Sequence, residues 1–355
     1  MKKIIIVTRN MHGGGAERVI AQLANYFYDK GNICDIITIN NEKVLYELNQ
    51  QIKLTPIGEK SKNKLVDKIL RYSELRKIIL QASPDIVLSM PEDIGIYVIL
   101  ALRGTKIPVY VSERNNPWVM PDVKITRILR KMMYPFARGI IFQTEMAKSF
   151  FSKSIQKKGI VLGNPVDDRR IPQPFAGERE KVIVAAGRLD RQKNFPLLIR
   201  AFSMNAEKHP EYKLIIFGEG ELKKELEELV EKLKLHDKVS LPGRKSDVLM
   251  KMRNAAMFVL SSDYEGLPNI LIEAMCMGMP VISTDCPSGG PKQLIENEIN
   301  GILVPVNDVE KMAQAIDRMT NAIYAEKLGN EAFKLRKKIT SRQVFEEWES
   351  FLLKE

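Results

Sequence analysis

Glu265 and Glu273 stand eight positions apart in the run Ser261-Ser262-Asp263-Tyr264-Glu265-Gly266-Leu267-Pro268-Asn269-Ile270-Leu271-Ile272-Glu273-Ala274-Met275. A β-branched run ends at Ser261, Gly266 permits a turn, and Pro268 suits the first position of a helix. Glu265 is therefore expected on the loop over the helix N-terminus. Glu273 falls about one and a half turns inside, at roughly 3.6 residues per turn. Carboxylates placed this way can accept sugar hydroxyls, while the backbone amides of Gly266, Leu267 and Asn269 suit an anion at the helix start. The alternative for Glu273, set among apolar neighbours, is a buried carboxylate neutralised by a local Lys or Arg, since burial without a partner is costly. Asp263-x-Glu265 is spaced like a metal-binding acid pair, yet no third ligand lies nearby and no metal is expected.

Two further loops carry charge or bare backbone. Gly187-Arg188-Leu189-Asp190-Arg191-Gln192-Lys193-Asn194 follows a strand-like run, with Arg188 and Lys193 five apart. Two cations on such a turn can clamp a diphosphate, Arg as a fork and Lys as a point charge; a solvated basic loop is the plainer alternative. Asn10-Met11-His12-Gly13-Gly14-Gly15-Ala16-Glu17-Arg18 leads into a helical pattern, and its glycines let the backbone approach a ligand. A dinucleotide fingerprint is excluded because Arg18 stands where the third glycine is required, and Asn40-Asn41-Glu42 offers no clean ribose-binding acid. No G-K-S/T sequence forms a P-loop.

The elements that must hold these loops alternate from end to end. Strand-like runs are predicted at 3–9, 33–39, 52–57, 85–89, 108–112, 139–143 and 160–162, then at 182–186, 213–217, 239–241, 257–261, 281–284 and 302–304, with amphipathic stretches between most of them. That pattern predicts parallel sheets covered by helices. The aperiodic stretch from Arg169 to Gly177, with Pro172 and Pro174, is the best linker. Two doubly wound α/β domains are expected, 1–170 and 171–339, facing across a cleft, with ligands at the carboxyl ends of the strands. Phe345, Trp348, Phe351 and Leu352 recur at helical spacing, so a closing helix near 340–355 is expected to pack back on the first domain.

Composition narrows the class. The 355 residues are 45% hydrophobic and 28% charged, an ordinary globular balance. The N-terminal apolar run is too short for a secretory core, and no stretch reaches the roughly 18 apolar residues of a spanning helix. Cys34, Cys276 and Cys286 have no metal or disulfide spacing, and His12, His209 and His236 are too few for a histidine-rich metal site. Residues 1–170 hold 28 Lys and Arg against 16 Asp and Glu, whereas the remainder holds 27 against 28. The excess positive charge thus lies wholly in the first half and predicts a phosphorylated substrate or anionic membrane there. Nucleic acid is not expected, because no zinc-finger spacing, aromatic RNA-binding motif or basic heptad region occurs.

Together, Gly14-Gly15-Ala16-Glu17-Arg18, the turn Gly187-Arg188-Leu189 with Lys193-Asn194, and Glu265 followed eight positions on by Glu273 resemble glycosyltransferase family 4, retaining enzymes of the GT-B fold. Phe217-Gly218-Glu219-Gly220-Glu221-Leu222, Leu241-Pro242-Gly243-Arg244 and Gly278-Met279-Pro280-Val281-Ile282-Ser283-Thr284-Asp285 extend the likeness over nearly the whole chain. The resemblance implies a nucleotide-sugar donor, UDP-linked, on the second domain. In that reading Arg188 and Lys193 neutralise its diphosphate, Glu265 holds the sugar hydroxyls and Glu273 the ribose hydroxyls. Gly243 and Arg244 meet the base, Gly218 lies among the donor-binding glycines, and Gly14 and Gly15 close on the phosphate side. No cofactor or metal is implied.

Many relatives place a histidine where this chain has Arg114-Asn115-Asn116-Pro117. Arg114 can hydrogen-bond a sugar or phosphate but cannot act as a base near neutrality, so it is expected as a first-domain contact, and a histidine-mediated proton transfer is put in doubt. On the acceptor side, Lys64, Lys68 and Arg71 share one helix face against Leu65, Val66, Ile69 and Leu70. Lys124, Arg127 and Lys131 repeat the arrangement against Ile125, Ile128, Leu129, Met132 and Met133. A core helix with a solvated basic outer face explains either row alone. Two rows favour a lipid-diphosphate-linked glycan acceptor at the cytoplasmic face of an anionic membrane. The reading is a peripheral hexosyl- or N-acetylhexosaminyltransferase of polysaccharide biosynthesis. The alternatives are a GT-B sugar-nucleotide epimerase and a catalytically idle partner subunit.

Overall fold

A computed structural model describes residues 1–40, 44–166, 168–339 and 341–354. Asn41 and Glu42, named above, lie outside the described residues, as do Lys43, Asp167, Thr340 and Glu355. The chain divides into two compact units, Met1–Val166 with Ser341–Glu355, and Asp167–Thr340. The first border precedes the predicted 170/171 break because the linker is tied to the second unit. Arg336 donates to Asp168 Oδ1 (2.8 Å), Ile171 O (3.1 Å) and Pro172 O (2.9 Å), and Arg253 holds Gln173 O (2.6 Å) and Pro174 O (3.1 Å).

The first unit runs β1 (Lys3–Thr8), α1 (Gly15–Asp29), β2 (Ile33–Thr38), β3 (Leu54–Pro56), α2 (Lys64–Ala82), β4 (Ile86–Ser89), α3 (Glu92–Ala101), β5 (Val109–Ser112), α4 (Lys124–Met133), β6 (Gly139–Phe142), α5 (Glu145–Ser149), α6 (Lys153–Gln156) and β7 (Gly159–Val161). Its strands form one parallel sheet in the order β3-β2-β1-β4-β5-β6-β7. Both faces are covered, so strands such as Ile4-Ile5-Ile6-Val7 are buried along their length, as continuous apolar runs in parallel sheets must be.

The second unit runs β8 (Glu180–Ala186), α7 (Phe195–Asn205), β9 (Lys213–Phe217), α8 (Lys223–Lys232), β10 (Val239–Gly243), α9 (Val248–Met252), β11 (Ala255–Leu260), α10 (Asn269–Cys276), β12 (Val281–Thr284), α11 (Gly290–Leu294), β13 (Ile302–Val304), α12 (Val309–Met319) and α13 (Ala322–Lys338). Its sheet is parallel in the order β10-β9-β8-β11-β12-β13. Strand order reverses between β1 and β4 in one unit and between β8 and β11 in the other. At such a switch point the two following helices leave in opposite directions, which opens a crevice at the carboxyl ends of the strands.

The closing helix α14 (Ser341–Leu353) belongs to the first unit. Phe345 stacks on Tyr26 of α1 with ring centroids 4.6 Å apart, Glu349 accepts from Tyr26 (2.7 Å), and buried Trp348 donates to Gly163 O (2.9 Å).

The rows on α2 and α4 depart from expectation. Leu65, Val66, Ile69 and Leu70 are exposed, Leu65 at 76%, and α2 enters the core only later, through Leu75 and Ile79. Ile125, Ile128 and Met132 of α4 are exposed too, while Arg130 and Met133 are its buried residues. Arg71 does not stand on a solvated face: it pairs with Asp67 (2.7 Å) and donates to Asn40 Oδ1 (3.1 Å). Arg127 likewise donates to Val119 O (2.7 Å), Pro121 O (2.6 Å) and Asp122 O (3.0 Å). Lys64, Lys68, Lys124 and Lys131 remain exposed.

Trp348→Ala empties the seat of α14, and a buried Trp→Ala change costs about 3–5 kcal/mol. Thermal unfolding of the variant is expected to show the first unit melting well below the second; coincident, unshifted melting would contradict this anchoring.

Candidate active site

In the second unit the loops after β8 and β11, the strands flanking the switch point, are fastened to each other. Asp190 and Asn194 shape the first: the Asp190 side chain accepts from Lys193 N (3.2 Å), and the Asn194 side chain caps α7 (3.3 Å to Leu197 N). Lys193 Nζ then reaches across to Glu265 Oε1 in an ion pair, with only 14% and 8% of the two side chains exposed. Ser262 Oγ donates to the same oxygen (2.7 Å), and Gln192 Nε2 reaches Tyr264 O (2.9 Å) and Glu265 Oε2 (3.5 Å). Ser261 Oγ donates to Lys193 O (2.8 Å), Asp263 N to Gln192 O (2.9 Å) and Asn194 Nδ2 to Asp263 Oδ1 (2.6 Å). Ser288 Oγ donates to Glu265 O.

Close backbone packing fixes these loops. A Cβ on Gly290 would lie 1.6 Å from Gly266 O, and one on Gly218 would lie 1.8 Å from Gly187 O, so neither position admits a side chain. Gly218 N donates to Gly243 O (3.1 Å), which links the ends of β9 and β10 beside β8. Arg244, next along, is exposed.

The fold gives the two cations of the expected clamp different partners. Lys193 turns to Glu265, whereas Arg188 is 70% exposed and lies beside Asp190 (3.3 Å). Pro268 is the N-cap of α10 rather than its first residue, with φ −76° and ψ 107°, and the cap position supplies no side-chain bond. Leu267 and Pro268 are buried, and Glu273 is buried inside α10. Gln192, Ser262, Ser288 and Gly290 were not singled out from the sequence; the only signal for the last two is Ser288-Gly289-Gly290-Pro291 after a strand.

In the first unit, Gly14 is the N-cap of α1 without a side-chain bond, Gly15 opens that helix, and Tyr46 donates to Gly14 O (2.8 Å). Arg114 follows β5. Its backbone N–H donates to Glu92 Oε2 (3.3 Å), and its Nη2 to Asn164 Oδ1 (2.6 Å), which also accepts from Gln143 Nε2 (2.9 Å). Its Nε and Nη1 are buried with no hydrogen-bond partner. Burial lowers the guanidinium to about 10, against the pull of Glu92 and Glu17, so it stays charged at neutrality. Burial also pushes the Glu92 carboxyl up.

The neighbouring Glu113 is fully enclosed. It pairs with Arg130 (3.0 Å), accepts from Tyr134, and is pushed up to about 7 by burial, against the pull of Arg130. Arg130 also donates to Met120 O (2.8 Å) and Pro117 O (2.7 Å). Arg127 and Arg130 of α4 therefore hold the loop that carries Arg114. Among the described residues no group of three or more His, Cys, Asp or Glu is placed to hold a metal ion.

A parallel two-unit fold with charged residues at its strand ends admits many chemistries, and likeness to known proteins gives the class. The family model "Glycosyltransferase Family 4" matches residues 13–170, and "Glycosyl transferases group 1" matches residues 167–335. The chain belongs to glycosyltransferase family 4 and is a glycosyltransferase. It is 31% identical over 340 residues, 90% of each chain, to the Campylobacter jejuni N-acetylgalactosamine-N,N'-diacetylbacillosaminyl-diphospho-undecaprenol 4-alpha-N-acetylgalactosaminyltransferase. It is 28% identical over 98% of its length and 97% of the relative's to the C. jejuni GalNAc-alpha-(1->4)-GalNAc-alpha-(1->3)-diNAcBac-PP-undecaprenol alpha-1,4-N-acetyl-D-galactosaminyltransferase. The fold matches Anabaena HepE, solved with UDP and glucose, at TM-score 0.86 and 16% identity over 99% of both chains. It also matches S. aureus TarM at TM-score 0.82 and 16% identity, over 100% of this chain and 99% of that one.

Removing Lys193 strands a buried carboxylate, which typically costs about 3–5 kcal/mol. Lys193→Met is expected to destabilise the second unit in denaturant unfolding by roughly that amount, and Lys193→Met with Glu265→Gln to recover most of it; additive losses would show that the pair is not coupled.

For Glu113, a carboxyl raised from the ordinary 4.5 to about 7 gives stability that is full below 4.5 and lost as pH rises through 7. Between those values the first unit of Glu113→Gln should lose less stability than wild type in urea titrations; parallel slopes would contradict the assignment.

Proposed function

We propose that the chain transfers a hexose or N-acetylhexosamine, with retention, from a UDP-linked donor to a lipid-diphosphate-linked glycan, as a peripheral enzyme at the cytoplasmic membrane face. The observation that carries this reading is the Lys193–Glu265 pair at the β8/β11 switch point. An ammonium has three donors and a carboxylate about four acceptor sites, so the pair can hold itself and still bind substrate. Lys193 then meets the diphosphate as negative charge grows on the departing UDP, and fixed cations at that point lower the barrier. Arg188, whose pairing with Asp190 is exposed, joins it without first breaking a buried contact. Glu265 accepts the sugar hydroxyls and Glu273 the ribose hydroxyls. The backbone at Gly218, Gly243, Gly266 and Asn269, with Arg244, completes the donor contacts in the second unit. Arg114 donates Nε–H and Nη1–H to substrate oxygens in the first unit. No metal or other cofactor has a part in this scheme.

The acceptor class rests on the C. jejuni relatives, whose names specify undecaprenyl-diphosphate-linked substrates, and on the positive charge of the first half. Lys64, Lys68, Lys124 and Lys131 are the exposed cations that face such a surface; Arg71 and Arg127 serve the fold.

Nucleotide release from a panel of UDP- and GDP-sugars, with and without an undecaprenyl-diphosphate-linked glycan, tests the proposal. UDP release that depends on the acceptor is expected, and Glu265→Gln should lower kcat by about a hundredfold or more. Donor isomerisation without acceptor would make the chain an epimerase, and no turnover with any donor would leave the idle subunit.

A further inference from the structure

The helix α4 is turned inside out. Its enclosed face carries Arg130, while Ile125 and Ile128, at 59% and 54% exposure, and Met132 stand in solvent. Trp118, 45% exposed, and Phe136 flank them. Helix α2 repeats the anomaly in its first two turns with Leu65 and Ile69. Both helices pack against α3, so they lie on the same face of the sheet. Both also begin at the carboxyl ends of strands, so Leu65 and Ile69 lie at the same end of that face as Ile125, while Met132 and Phe136 extend the bare row towards the start of β6, where Phe136 meets Arg103.

We infer that the first unit seats on an anionic lipid surface by inserting the outward side chains of α4 and of the start of α2 between the headgroups. This rests on the membrane reading above and goes beyond charge attraction, because the apolar face does the holding. Lys64, Lys68, Lys124 and Lys131 border the bare residues and are long enough to keep their charges at the phosphates. Of the acidic neighbours, Asp67 is paired with Arg71, and Asp122 is exposed. A second copy of the chain fits poorly, since a two-fold contact would set lysine against lysine. Protruding helical ridges with aromatic flanks suit a fluid interface. Because Arg127 and Arg130 fasten the Arg114 loop to α4, seating also brings that loop to the interface where a lipid-linked acceptor lies.

The chain has two tryptophans, and Trp348 is buried, so Trp118 alone reports on this surface. With vesicles of phosphatidylglycerol and phosphatidylcholine, its emission should shift to the blue and be quenched by brominated acyl chains. Cosedimentation should persist in part at high salt. Ile125→Ser with Ile128→Ser, at exposed positions that leave thermal unfolding unchanged, should weaken partitioning about tenfold or more. Lys124→Gln with Lys131→Gln should instead reduce the preference for anionic over neutral vesicles. Unchanged Trp118 emission, or wild-type partitioning by the isoleucine pair, would overturn the inference. So would self-association without lipid that the same pair abolishes, since the occupant would then be a second copy. None of these measurements uses a sugar. Transfer without this seating sinks the inference alone, and seating without transfer sinks the proposed reaction alone.

Discussion

The ion pair between Lys193 and Glu265 joins two strand-end loops that the sequence separates by 72 residues. The first carries a single 3-10 turn, Arg191–Lys193, capped by Asp190, and the second is irregular. Each is held to the other through Gln192, Ser261, Ser262, Asp263 and Asn194, and the whole is backed by Ser288 and Gly290. A nearly enclosed charge pair is retained only where its remaining valences are used, since taking both charges out of water is costly. Here the hydroxyl of Ser262 and the amide of Gln192 use part of them.

The first unit solves a related problem by different means. Glu113, Arg130 and Tyr134 are all enclosed, and Arg130 adds carbonyls of the loop from Arg114 to Met120 to its contacts. The aromatic rings of Phe150 and Phe151 lie 5.4 and 5.0 Å from its guanidinium. Turning this arginine inward is what forces the isoleucines of α4 outward, because a helix cannot bury opposite faces against one sheet. One local decision thus sets both the position of the Arg114 loop and the apolar surface beside it.

Arg114 shows how the two effects meet. Its Nη2 is anchored through Asn164 and Gln143, residues from the ends of two further strands, while Nε and Nη1 have no hydrogen-bond partner. A guanidinium held this way keeps its charge near neutrality and offers donors in a fixed plane. A group of this kind can donate hydrogen bonds and stabilise charge, and cannot abstract a proton.

The alternation of strands and helices is written locally in the chain, and each of the thirteen predicted strands is present within a few residues of its expected place. That success has a local cause: buried parallel strands are short β-branched runs, and glycine, proline and asparagine punctuate them. The types of residue at the strand ends were legible for the same reason. The direction of each side chain was not. Whether Lys193 would stay in solvent like Arg188 or pair with Glu265 depended on β8 and β11 being neighbours, a fact of strand order that spacing does not encode. Periodicity marked α4 as two-faced, but the inward face was settled by a buried carboxylate at Glu113, seventeen residues away in the chain. Tertiary structure decided these points, because an enclosed charge must be answered wherever the fold puts its partner, and that requirement overrides the tendency of isoleucine to turn inward.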